Sequence, residues 1–179
     1  MKIISSIGSE ELAIVYIAET SKGELMEFVE SVQPPKTREE KWVLILSTLY
    51  GCPVNCPMCD AGSYYHGRIS KEGIFAQIDS MVAKRYPDRK IPAKQLKIQF
   101  ARMGEPSFNK SVLEVIEEFH YYFDAPGFMP SISTIAPNSA EEFFEEMLRI
   151  KSEQFNSGNF QLQFSIHTTD ENKRNDLIP

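Results

Sequence analysis

"WVLILSTLYGCPVNCPMCD", residues 42–60, decides how this chain is read. It opens on a continuous apolar run, Trp42 to Ser47, with none of the alternation of a half-exposed strand. A short run of that kind suits a strand covered on both faces, as in a parallel sheet. The second half holds all three cysteines of the 179-residue chain, Cys52, Cys56 and Cys59. Pro53 and Pro57 disfavour a regular helix between them, which leaves the thiolates free to converge on one metal centre. Open α/β folds place ligand-binding loops after their strands in this way.

Working outward, strand and helix alternate. Ser70 is positioned to cap a helix running to about Tyr86, with Ile74, Ile78, Met81 and Val82 as its apolar stripe. "QLKIQFA" (95–101) reads as a second parallel strand. Asn109 can cap the next helix, where Val112, Val115, Ile116 and Phe119 share a face. "SISTI" (131–135) is a third strand, and Ser139 with Glu142 spells a capping box for a helix through about Phe155. "FQLQFSIH" (160–167) is a fourth strand, after which Asp170 can start a last helix. Short connections between such units predict an α/β fold with a right-handed parallel sheet. Upstream, "ELAIVYIAET" and "LMEFVESV" flank "SKGE" as a β-hairpin, closed off by Pro34 and Pro35. The expected division is therefore a hairpin extension, residues 1–35, and a core of about four β/α units, residues 36–179. A fourth strand buried on both faces would form an open edge, so a missing C-terminal half or a partner chain is expected to cover it.

Composition narrows the class. Apolar residues make up 42% and charged residues 25%, an ordinary globular balance. No apolar run is long enough to span a bilayer, so no membrane partner is expected. The first nineteen residues, with one Lys and acids by position 10, do not read as a secretory signal. An odd cysteine count in one cluster is not a disulfide framework, which points to a cytoplasmic protein. The net charge of -6 weighs against an extensive RNA contact, which usually needs a basic face. "AEEFFEEMLRIKSEQ" (140–154) reads as a solvated helix face behind Phe143, Met147 and Ile150.

The cysteines allow three readings. A purely structural trio would scatter through the core instead of bunching in a Pro-rich loop. A structural zinc site needs a fourth ligand, here only Asp60, His66 or His167. A cubane iron–sulfur cluster usually takes four thiolates, so three leave one iron open to another ligand. "QFARMGEPSFN" (99–109) adds Gly104, which permits close backbone approach, and Glu105, an acceptor at a strand end. Ser133 and Thr134 end the third strand; Ser165, Ile166 and His167 end the fourth.

C-x-x-x-C-x-x-C directly after the first core strand resembles the signature of radical S-adenosylmethionine (SAM) enzymes, and the resemblance runs from about Trp42 onward. It implies a partial (β/α) TIM-like barrel of parallel strands with outer helices. It implies a [4Fe–4S] cluster on Cys52, Cys56 and Cys59, with SAM chelating the open iron. Reductive cleavage of SAM to a 5′-deoxyadenosyl radical would draw its electron from an external donor such as flavodoxin or ferredoxin. Gly104 and Glu105 resemble the Gly-Glu element that binds the SAM amino group. "MGEP", "SISTIAPN" and "SIHTTDENKRNDLIP", in that order, look like the RlmN/Cfr-type RNA adenine methyltransferases. That branch implies SAM contacts from Ser133, Ser165, Ile166 and His167, and an RNA substrate. Met58 stands where an aromatic residue often packs near the adenine, and Arg68 where the branch has Arg-Asn-Leu-Thr.

The chain departs from the pattern as well. It has no cysteine after Cys59 to carry a methyl group, and Asp60 follows the third cysteine where a small neutral residue is expected. No residue is assigned as catalytic. Tyr64 and Tyr65 are candidates for stacking on a base. The competing functions are a radical SAM enzyme with a non-RNA substrate and a non-catalytic binding module stabilised by zinc or a relic cluster.

Overall fold

A computed structural model describes the backbone of residues 1–179 and every side chain except that of Ser63. Strands β1 (Lys2–Ser9), β2 (Ala13–Glu19) and β3 (Leu25–Val32) form an antiparallel meander. The expected hairpin is the β2–β3 pair, and β1 was not anticipated. Its sequence, KIISSIGS, has no sustained alternation and every residue is exposed, so nothing in its pattern marks a buried face.

The chain continues as β4 (Trp42–Leu46), β5 (Leu49–Tyr50), β6 (Gly67–Arg68) and α1 (Lys71–Val82). Then come β7 (Leu96–Phe100), α2 (Ser111–Tyr122), β8 (Phe128–Thr134), α3 (Glu141–Gln154), β9 (Gln161–Phe164) and α4 (Glu171–Leu177). Seven strands share one sheet in the order β1-β2-β3-β4-β7-β8-β9. β4, β7, β8 and β9 pair in parallel, and β3 joins them through antiparallel pairing with β4. The sheet is thus mixed, and the N-terminal strands continue it.

The two faces of the sheet differ. Leu44, Leu46, Ile98, Phe100 and Ile132 are buried on one face in a single cluster with residues of α1, α2 and α3. That cluster also takes in Tyr16 and Phe28 from the N-terminal strands. On the opposite face, register aligns Ile7, Val15, Val29, Ile45, Gln99, Ser131 and Gln161 across all seven strands. This row is apolar as far as Ile45 and polar beyond it. The apolar run of β4 therefore reflects helices on one side and, on the other, the buried Val43 and half-buried Ile45, a partial version of the cover on both faces that was expected.

Helix starts were read with mixed success. Ser70 and Asp170 accept from the backbone N–H of Gly73 and Lys173, as N-caps do. Ser139 and Glu142 form no capping box, because Ala140 takes the cap position after a short 3-10 turn. The regular span of α2 begins after Lys110, and Asn109 just ahead of it caps as expected, its Oδ1 accepting from the Ser111 N–H at 3.1 Å. Among the described residues, no helix is long and apolar enough to cross a membrane.

Candidate functional site

The loops leaving the C-terminal ends of the parallel strands meet at one cavity of about 180 Å³. Its wall includes Cys52, Cys56 and Cys59, together with Gly104, Glu105, Ser133 and Ser165. Residues from four separate stretches of sequence are brought together in this way. Met58 lies in the neighbouring hollow beside Cys59, half exposed. Ile166 and His167 are exposed and do not line the cysteine cavity. β9 stops at Phe164, short of the expected strand end, and His167 turns away with φ at 59°.

The cysteine loop is anchored at its base by buried polar groups. Gln77 of α1 donates from Nε2 to the Ser47 carbonyl (3.0 Å), and its Oε1 accepts from the Ser47 N–H (2.9 Å). The Asn109 amide donates to the carbonyls of Thr48 and Ile69, both at 2.7 Å. One side chain therefore does two things: its amide N–H groups hold the stem of the loop, and its Oδ1 accepts from the Ser111 N–H at the start of α2. The Thr48 and Leu49 N–H groups both donate to the Met103 carbonyl, so the stem is stitched to the stretch carrying Gly104 and Glu105.

Glu105 is buried and heavily coordinated. Its Oε1 accepts from the Ser107 N–H (3.0 Å), the Ser107 hydroxyl (2.7 Å) and the Thr134 hydroxyl. Its Oε2 accepts from the Ile135 N–H at 3.0 Å. The carboxylate thus joins the exit of β7 to the exit of β8. From the other side, Arg174 of α4 donates to the Ile135 carbonyl (3.2 Å) and to those of Ser165 (3.0 Å) and Ile166 (2.7 Å). One carboxylate and one guanidinium grip the two exits that carry Ser133 and Ser165. Sequence reasoning passed over Arg174, Gln77 and Arg102. Their partners lie 8 to 75 residues away along the chain, and no local pattern announces such contacts.

Below the cavity, the open face of the sheet carries a polar ladder. Gln99 donates to the Ser133 hydroxyl, which donates to Gln163, both at 3.2 Å. Lys97 lies one row further down, and burial, with the nearby Lys41 charge, pulls its ammonium below the usual lysine range.

All three cysteines are free thiols. Burial pushes the Cys52 and Cys56 thiols up from the ordinary value. Among the described residues, no three Cys, His, Asp or Glu side chains converge as ligands on a single ion. The donor set nonetheless fits a polynuclear cluster, whose irons sit at separate corners and take one thiolate each. The three residues considered as a fourth zinc ligand do not join the trio. Asp60 shares a hollow with Cys59 but is not on the wall where the three thiols meet, His66 faces a different cavity, and His167 is exposed.

No family model matches the chain. Curated relatives do. The chain is 30% identical over 158 residues to the probable dual-specificity RNA methyltransferase RlmN of Phocaeicola vulgatus, covering 85% of this chain and 39% of that one. It is 28% identical over 156 residues to the protein of the same name from Syntrophomonas wolfei, covering 84% and 42%. The chain thus spans about two fifths of the length of these relatives. Among solved structures, a radical SAM methyltransferase from Sphaerobacter thermophilus superposes with a TM-score of 0.75 at 18% identity. That match covers 99% of this chain and 49% of the other, and it speaks for the fold. In sequence the chain resembles the RlmN radical SAM methyltransferases, and its α/β fold is that of a radical SAM methyltransferase.

Proposed function

We propose that the chain carries the cofactor site of a radical SAM methyltransferase. The observation that supports this most is the convergence of Cys52, Cys56 and Cys59 with Glu105, Ser133 and Ser165 on one cavity, at the ends of adjacent parallel strands. The three thiolates would hold a [4Fe–4S] cluster and leave an iron open. Glu105 would accept from the amino group of SAM, with Gly104 allowing close approach and Ser133 and Ser165 adding hydroxyl contacts. Met58 would pack beside the adenine, and Ile166 and His167 would reach the cofactor only after their loop turns inward. Bound there, the cofactors would supply a one-electron cleavage of SAM and a carbon radical, with the electron drawn from an external flavodoxin- or ferredoxin-type donor.

The chain's own residues do the positioning. The Gln77 and Asn109 amides fix the stem of the loop, and Glu105 with Arg174 fixes the exits that bear the serines. Residues 36–179 are the proposed core, the first strands of a (β/α) barrel, and residues 1–35 extend its sheet. An RNA base is the proposed methyl acceptor, on the strength of the names the curated relatives carry. Three free thiols at the site suit a reducing compartment such as the cytoplasm.

Anaerobic reconstitution with iron and sulfide tests the reading. The expected product is a brown protein whose reduced EPR signal changes on adding SAM. Replacing Cys52, Cys56 or Cys59 by Ala should abolish it. A colourless chain holding stoichiometric zinc would overturn the proposal. For the acceptor, transfer of label from methyl-labelled SAM to RNA is the expected result. Turnover to 5′-deoxyadenosine with unlabelled RNA would move the substrate to another class.

A further inference from the structure

The two ends of the seven-stranded sheet are not equivalent. β9 has four residues, whereas β1 has eight, every one of them exposed. A strand at the end of a sheet turns backbone N–H and C=O groups outward with no partner, and such edges are normally blunted by proline, by charge or by a bulge. β1 has no proline and one charged residue, Lys2. Its pairing with β2 shifts register between Ile3 and Ser5, but from Ser5 to Ser9 it runs without interruption. At the middle of that regular stretch stands Ile7, 75% exposed, on the face of the sheet opposite the helices.

An edge of this kind is complementary to itself. Two identical strands, antiparallel about a two-fold axis normal to the sheet at Ile7, set Ile7 against Ile7, Ser5 against Ser9 and Ser6 against Gly8. Each pair then has its side chains on the same face. The apolar row Ile7, Val15, Val29 and Ile45 of one copy would meet that of the other edge to edge.

Charge selects the direction. Lys2 lies at one end of β1 and Glu11 just past the other, in the turn to β2, and neither is in an ion pair among the described residues. Glu10, beside Glu11, is already engaged by Lys84 and Arg85. Antiparallel approach lays each Lys2 near Glu11 of the second copy, twice by symmetry, whereas parallel approach would set Lys2 against Lys2. Contact of β1 with β9 of another copy would use an edge half as long and would build an open filament instead of a closed pair. We propose that β1 is a self-association edge, through which two copies of this chain join antiparallel and continue one sheet into the other. Neither cofactor nor RNA enters this contact, so it stands apart from the function above.

A pair of strands and two isoleucines make a small interface of the weak, reversible class, so the test spans concentration. Sedimentation equilibrium of the full chain over about 1–500 µM should show monomer and dimer in exchange. Hydrogen exchange at the amides of residues 2–9 should slow as the concentration rises. Ile7→Lys places two lysines face to face in the contact and should weaken the dimer by about tenfold or more. Because Ile7 is 75% exposed, the monomer should keep its fold, which an unchanged Trp42 emission spectrum verifies. Glu11→Lys should weaken the dimer by about fivefold over its two symmetric contacts. The exchange Lys2→Glu/Glu11→Lys should return it to within about twofold of the parent. A chain that stays monomeric throughout, or a dimer whose β1 amides exchange as fast as the monomer's, would overturn the proposal. So would an Ile7→Lys dimer as tight as the parent, or a charge exchange that restores nothing. Growth beyond the dimer would assign the edge to head-to-tail contact with β9 and overturn it as well.

Discussion

Gly104 shows how one residue type can be required by geometry. Its φ is 90°, and a Cβ built there would lie 2.4 Å from the Cβ of Leu49, which is fully buried. The glycine lets the Met103–Glu105 segment lie flat on the stem of the cysteine loop. Gly104→Ala should therefore destabilise the fold by about 2–4 kcal/mol, combining left-handed strain with overlap against a packed side chain. Gly158→Ala is the matched control, since its φ is 86° and nothing lies within 4 Å of the added carbon. It should lose only the backbone share, about 1–2 kcal/mol. Urea unfolding of both variants reads the difference. Equal losses would mean that close approach to Leu49 is not what demands glycine at position 104. At this scale the sequence exposed residue types but not partners. Gly104 and Glu105 could be placed at a strand end from their neighbours alone. The donors from Thr134 and Ile135 that hold Glu105 could not, because that contact spans about thirty residues.

Among the elements, the regular ones were legible and the joints were not. The apolar stripes of α1 and α2 follow from periodicity, because each helix buries one face in the core, and the parallel strands follow from short apolar or β-branched runs between those helices. Contacts from polar side chains to distant backbone could not be read. Asn109 caps α2 through its Oδ1, as its type suggests, but nothing local announces that its amide N–H groups also serve Thr48 and Ile69. Gln77, in mid-helix and passed over in the sequence, is fully buried and pairs with both backbone groups of Ser47. That pairing predicts an effect out of proportion to a surface-type residue. Gln77→Leu fills similar volume but strands the Ser47 N–H and carbonyl, and should cost about 2–4 kcal/mol. It should also speed alkylation of Cys52, which lies five residues beyond Ser47. Denaturation midpoints and timed thiol labelling measure the two effects. A Leu variant as stable as the parent would show that the loop stem has other support.

At the scale of the molecule, the sequence suggested a hairpin attached to a parallel core, while the structure joins both in one seven-stranded sheet over one core. Phe28 of β3 is fully buried, stacks on Tyr16 with ring centroids 5.3 Å apart, and belongs to the same cluster as Trp42 and Ile78. Glu30 adds a buried link, accepting from the Tyr16 hydroxyl and from Arg85, the residue that follows α1 by three positions. Periodicity could not reveal this union, since it reports which face of an element is apolar and not which elements share it. A continuous core predicts a single cooperative transition. Trp42 is the only tryptophan, lies fully buried in β4, and stands between Val32 of β3 and Leu96 of β7, so it reports on the seam between the N-terminal strands and the parallel region. Phe28→Ala should remove about 3–5 kcal/mol through the cavity it leaves. That loss should shift the Trp42 fluorescence transition and the far-UV circular dichroism transition together, by the same denaturant increment. If circular dichroism moved while Trp42 fluorescence kept its midpoint, strands β1–β3 would unfold by themselves. The boundary near residue 35 would then separate independent units, and the shared sheet would be a contact between them instead of a common core.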